Sequence, residues 1–276
     1  MHSELDVLRR HIAHPLDALK GRKPLGAESV HAIRKELKRA RAGLRLLRDA
    51  VGEVAYAEEN SRLRDAARPL ARVRDAEVTI ATIDSLIGRK KLHQHRAALI
   101  MLRARLRQER SALQRALEGS TVENIHNALT QSGARVSHWR VPHDVWPILR
   151  DGLKRIYRRG RKALSGARAL GSDRNLHEAR KQVKYLGYAM EILGPVEAPR
   201  LARLAKRADS IAERLGEDHD LAVLRRRLDR ADRELLARIE RRRAKLQKKA
   251  LKKARRLYRL KPKAFIARLE SARVLY

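Results

Sequence analysis

The sequence predicts an all-α protein. Three observations point there: apolar residues recur at helical spacing along almost the whole chain, no alternating strand pattern of useful length occurs, and one amphipathic block occurs twice, 146 residues apart. The copies are VHAIRKELKRARAGLRLL from Val30 and LHEARKQVKYLGYAMEIL from Leu176. Val30, Ile33, Leu37, Ala40, Leu44 and Leu47 step 3, 4, 3, 4, 3, and Leu176, Ala179, Val183, Leu186, Met190 and Leu193 repeat those steps, which puts each set on one helix face. His31, Arg34, Lys35 and Lys38 are matched in place by His177, Arg180, Lys181 and Lys184, so each copy carries a ridge of cations opposite its apolar stripe. The agreement of both registers predicts an internal duplication.

The remaining elements follow in order. Residues 3 to 19 form an amphipathic helix closed by Pro24 and Gly26, and the first ridge helix runs from about Glu28 to Val51 with Gly52 as its stop. A third segment, roughly Ala55 to Val73, reaches LARVRDAEV, and a fourth continues to Leu86 before Gly88. Residues 89 to 118 read as a long basic helix ended by Gly119 and Ser120. Gly133, Ser137, Pro142 and Pro147 interrupt the periodicity between 131 and 147, which marks a linker between a first half, 1 to 130, and a second half, 148 to 276. In the second half a basic helix occupies 148 to 170, and the second ridge helix starts at Asp173 and ends at Gly194 and Pro195. Residues 197 to 215 form the counterpart of the third segment and reach LGEDHDLAV, where His219, Asp220 and Val223 take the places of Arg74, Asp75 and Val78 at an offset of 145. From Leu221 to Leu260 the helical beat continues, over a length at which a bend is expected.

Composition bounds the partner. Lys and Arg number 66 against 32 Asp and Glu, a formal charge of +34, so the compact state repels itself unless anions neutralise it. Nucleic acid, an anionic membrane surface and inorganic polyphosphate all answer that need. One Phe, two Trp and six Tyr supply few platforms for stacked bases, which argues against a single-stranded nucleic-acid binder. The chain has no cysteine, hence no disulfide or thiolate metal site, as fits a reducing compartment. No run of about 18 apolar residues is present and the first residues are charged every few positions, so a soluble, cytoplasmic protein without membrane span or secretory signal is expected.

Two His-x-x-Arg-Lys-x-x-Lys blocks on amphipathic helices, each followed by an (Arg or His)-Asp-x-x-Val element, resemble the CHAD family, the conserved histidine α-helical domain. The matching stretches are the two ridge blocks with VRDAEV and DHDLAV, and the basic run LKRIYRRGRKAL from Leu153 is similar to the family's helix before the second block. The resemblance covers most of residues 1 to 276 as a single domain. It implies two pseudo-symmetric four-helix bundles, a central basic groove or pore, binding of inorganic polyphosphate there, and no established catalysis. The contacts expected on that basis are His31, Arg34, Lys35, Lys38, Arg41, Arg45 and Arg74 in the first half. In the second half they are Arg155, Arg159, Lys162, His177, Arg180, Lys181, Lys184, Arg203, Arg207 and His219. Arg41 and Arg45 are answered by Gly187 and Glu191, so the second ridge is the shorter one.

The chemistry suits that ligand. Polyphosphate offers repeated charge and no bases, so a track of guanidinium and ammonium groups holds it without a hydrogen-bond code. From His31 to Arg45 a helix rises about 21 Å, enough for several successive phosphates. For His31 and His177 two roles stay open, a phosphate contact or a packing histidine near a helix start. One His per helix without a nearby carboxylate on the same face is no metal-ligand set, although His93 and His95 could take up metal adventitiously, and no Walker loop or acidic cluster asks for a nucleotide or a magnesium cofactor. Asp75 and Asp220 are expected to fix ridge cations rather than to orient a catalytic base, since sequence neighbours on a helix point about 100° apart. A granule-associated polyphosphate-binding module without catalysis is therefore the favoured reading. The alternatives are a double-stranded nucleic-acid binder and an accessory or catalytic protein of polyphosphate metabolism. The tract from Arg241 to Lys263, with 13 Lys or Arg and no acid, is a candidate secondary nucleic-acid contact.

Overall fold

The computed structural model describes residues 4–19, 25–142, 144–194, 198–229 and 232–273. Among them it shows α-helices and no strand. The chain forms α1 (Glu4–Leu19), α2 (Ala27–Leu46), the single turn α3 (Arg48–Val51) and the long α4 (Glu53–Ile87). A 3-10 segment over Lys90–His95 leads into α5 (Arg96–Arg115) and α6 (Ser120–Ser137). Then follow α7 (Trp146–Leu170), α8 (Asp173–Leu193), α9 (Ala198–Arg225), α10 (Arg233–Leu257) and α11 (Pro262–Arg273).

The apolar stripes organise these helices into two four-helix bundles. All six stripe positions of α2 and all six of α8 are buried. Around α2 the ring of contacts runs α1–α2–α4–α6, and around α8 it runs α7–α8–α9–α10 with α11 on α7. The bundles are not separate bodies, because α2 also packs on α7 and α8, α4 packs on α9, and one apolar core runs through both. Close approach at the α2–α7 crossing depends on Gly152, where a Cβ would collide with the Leu46 backbone. A second, smaller core lies toward the far ends of the long helices, where Ile83 and Leu86 of α4 meet Leu99 of α5, Leu224 of α9 and Leu235 of α10. Buried charges are paired, as burial requires. Glu59 of α4 receives Arg135 of α6 and Arg62, and Arg243 of α10 reaches Asp218 of α9 at 3.0 Å and Asp173 of α8 at 2.5 Å.

Several boundaries differ from the sequence reading. The expected linker is half helix: residues 131–137 complete α6, in which Ser132 and Val136 are buried and Gly133 faces Ile12, leaving coil only from 138 to 145 around undescribed His143. Helix α6 itself lay between an expected stop and an expected linker, and its stripe Ile125, Leu129, Ser132, Val136 carries a polar residue that blurred the period. The expected helix over 89–118 starts as a 3-10 segment, pinned where His95 Nδ1 meets Asp232 at 3.1 Å. The third and fourth segments are one helix through Pro69, and the long helix expected from Leu221 to Leu260 is broken after Arg225 and restarted by the Asp232 side chain, which accepts from Leu235 N. The stops expected at Pro24 and Pro195 lie outside the described residues.

Candidate anion-binding cleft between the bundles

Because both stripes are buried, the cationic faces of α2 and α8 turn out of their bundles, and packing of α2 on α8 brings them to one cleft. Its volume is about 580 Å³. His31, Lys35 and Lys38 enter from α2 and Arg180 and Lys184 from α8. Five of the eight paired ridge residues thus line one cleft, and Arg34, His177 and Lys181 do not. The opposite wall was foreseen only at Asp220: α9 also supplies Asp209, Glu213 and Glu217, and Glu191 joins them from α8. These positions recur at helical spacing in the sequence, and their spacing alone is the same on a solvated face.

The cations are crowded enough to disturb one another. Burial, and then the nearby Arg34, Lys184 and Arg180, bring the Lys38 ammonium down to about 7. Burial and Arg180 likewise lower Lys184, and burial with Arg74, Lys38 and Lys35 lowers His31. On the acidic side desolvation raises Asp220 to about 6, against the pull of Arg180, and raises Asp75 against Arg34, Lys38 and Arg180. Neither carboxylate forms an ion pair with a ridge cation among the described residues, so the expected rotamer clamp is replaced by attraction through space.

The two ridge histidines diverge. His31 is exposed and lines the cleft, with Arg74 acting on it from α4. His177 packs on His219, ring centroids 4.4 Å apart, and its Nδ1 is buried without a partner. Burial, His177 and Arg180 lower His219 to about 4, so its ring is neutral near pH 7, and it lies tilted by 39° against His177. Arg180 owes its place to Gly216: a Cβ there would lie 3.1 Å from Arg180 Nη2 and 3.4 Å from Nε, and that Nε is buried with no partner.

Other expected contacts are distributed elsewhere. Arg34 and Arg41 share with Lys38 a side cleft of about 250 Å³, together with Arg64 and Arg68 of α4. Arg45 stacks 3.8 Å from the centre of the Tyr185 ring, and Arg74 reaches Glu77 at 3.4 Å. Lys181 pairs with Glu178 at 2.8 Å, outside the cleft. Arg155 is held by Asp49 at 3.0 Å, while Arg159 and Lys162 stand exposed on α7 and line neither cleft. Arg203 and Arg207 belong to a third cleft on the outer side of α9. Gly216, nine residues past Arg207, is half a revolution away on that helix. In the basic tract, Arg243 is buried and Arg242 pairs with Glu217 at 2.9 Å, so the tract is no uniform outward face. Among the described residues no cluster of three metal-ligating side chains occurs, and no helix is long and apolar enough to cross a membrane.

The CHAD domain family model matches residues 6–229, which contain both ridges and the cleft; α10 and α11 lie beyond it and pack on α9 and α7. The CHAD domain from the plant Ricinus communis is similar in structure, with a TM-score of 0.58 at 20% identity over 92% of this chain and 89% of that one. PptA from Streptomyces chartreusis is similar as well, with a TM-score of 0.56 at 14% identity over 92% of this chain and 97% of that one. No curated protein matches the sequence. The two ridge helices, the cleft between them and the family match over most of the chain agree: the chain belongs to the CHAD family.

Proposed function

We propose that this protein binds inorganic polyphosphate in the cleft between α2 and α8. One observation carries the reading: five basic side chains from two helices converge there so closely that burial and mutual repulsion bring Lys38 down to about 7. A chain of phosphates laid along them removes that repulsion, and restoring the proton to Lys38 becomes part of the binding energy. The α9 carboxylates confine such a chain to the basic side and oppose anything broad. A duplex entering the cleft meets Asp209, Glu213 and Glu217, whereas a thin chain can follow Lys35, Lys38 and Lys184. The proposed role is a binding module located on polyphosphate granules, with no chemical step; a catalytic role predicts chain shortening on prolonged incubation.

The test is the triple variant Lys35→Gln, Lys38→Gln, Lys184→Gln, titrated with long-chain polyphosphate and with duplex DNA at physiological salt. Affinity for polyphosphate should fall by roughly tenfold or more, since each charge-assisted contact is worth about 1.5–3 kcal/mol. The melting temperature should hold or rise, because the substitutions relieve repulsion. Unchanged polyphosphate affinity, or an equal loss for both ligands, overturns the assignment.

A further inference from the structure

The cleft on the outer side of α9 has a different make-up. It encloses about 850 Å³ between the first half of α9, the end of α10 and α11, and of its fifteen lining residues eight are Lys or Arg and none is Asp or Glu. Arg203, Lys206 and Arg207 stand on one wall, Lys253 and Arg256 on the other. Lys253 donates to Ser210 Oγ at 2.9 Å. Arg203, Arg207 and Arg256 have no hydrogen-bond or ion-pair partner among the described residues. In a chain of this charge, most paired arginines here have found a carboxylate; these converge on a concave site with none.

The floor between the walls is apolar. Leu204 and Leu260 are partly open to the cleft, and Phe265 lies beneath, stacked on Tyr157 with ring centroids 3.9 Å apart, so the floor is fixed. A bare phosphate chain makes use of the cations and leaves this floor wet. An anion with an organic body uses both, and the volume falls in the range of about 300–1,000 Å³ common for small-molecule sites. Arg200 to Arg207 spans about 10 Å of helix, a length for a few phosphates rather than a long polymer.

We propose that this cleft binds an organic polyphosphate, its phosphate groups between the α9 and α10 cations and its carbon-rich body against Leu204 and Leu260. The site is separate from the one between the bundles, since the two share no lining residue, and it stands or falls independently of it.

The experiment compares adenosine triphosphate with inorganic tripolyphosphate by calorimetry at physiological salt, on the parent, on Arg203→Glu/Arg207→Glu and on Lys35→Gln/Lys38→Gln/Lys184→Gln. Arg203 and Arg207 are exposed, so the reversal should leave the melting temperature in place, and the milder Arg207→Gln serves if it does not. Expected are one equivalent of the nucleotide, tighter binding than tripolyphosphate, a loss of roughly tenfold or more on reversal, and no loss in the central variant. Nucleotide binding indifferent to Arg203 and Arg207, or lost in the central variant, overturns the site. Equal affinity for the two ligands overturns the organic body.

Discussion

The proposed binding of polyphosphate should depend on pH through Lys38, in a defined direction. Its ammonium is brought from the usual 10.5 to about 7 by burial, Arg34, Lys184 and Arg180, with Asp75 opposing. In the free protein it is about half charged at pH 7 and about one part in ten charged at pH 8. A bound polyanion favours the charged form, so binding should weaken by up to about fivefold from pH 7 to 8 and about fiftyfold by pH 9. Asp220 acts in the same sense, since its carboxyl gains charge through about 6 and adds repulsion to the cleft. Fluorescence anisotropy with labelled long-chain polyphosphate, from pH 5.5 to 9 at constant ionic strength, measures the slope. Lys38→Arg should flatten the limb above pH 7, because a guanidinium keeps its charge throughout. Stability moves oppositely: between about 7 and 10.5 the unfolded chain holds a proton the folded one has released, so the parent should melt higher as pH rises through that window. A flat affinity profile from pH 6 to 9 in the parent would refute the argument that Lys38 is crowded by its neighbours.

Gly216→Ala places a methyl 3.1 Å from Arg180 Nη2, so it should cost polyphosphate affinity several-fold while circular dichroism shows an intact fold, and parental affinity would mean that Arg180 has freedom to move. Leu37 is fully buried, and Leu37→Asp should abolish cooperative melting by leaving a charge in the core of the first bundle; a variant that still melts as the parent does would place Leu37 outside that core. Removing charge from Arg180 and Lys184 should cost affinity mainly for chains long enough to reach both ridges, and equal losses for short and long chains in a length series would mean two independent sites.

The helices and the buried stripes were legible because a six-position apolar register survives any surface change, and burial of Val30 through Leu47 and of Leu176 through Leu193 follows that register. The ridge cations were legible for the same reason: opposite a buried stripe they must face outward. What a single helix cannot announce is its neighbour. The carboxylates of α9 stand at ordinary solvent-face spacing, and only the packing of α9 on α8 turns Asp209, Glu213 and Asp220 toward Lys184. Arg203 and Arg207 were placed with the ridges on charge, and helix phase sends them to the other side of α9. Arg155 and Lys181 lie outside the cleft, each paired with a carboxylate, Asp49 and Glu178 respectively.

The positions at which the two copies of the block differ explain why the cleft has one basic and one acidic side. Gly187 stands where the first copy has Arg41; a Cβ there would lie at ordinary contact distance, 3.4 Å from Ala208 and 3.9 Å from Asp209, so α9 packs directly on α8 where the first copy carries a long cation. Arg41, by contrast, reaches Asn60 and holds open a side cleft between α2 and α4. Gly216 against Ala71 gives a second contrast, on α9: the glycine leaves room for the Arg180 guanidinium, whereas Ala71 lines the side cleft that Arg34 enters. His219 against Arg74 completes it, since a neutral ring packed against His177 replaces a charge near His31. On the proposed function, a polyanion in the cleft would follow its basic side, lined by His31, Lys35 and Lys38 of α2 with Arg180 and Lys184 of α8.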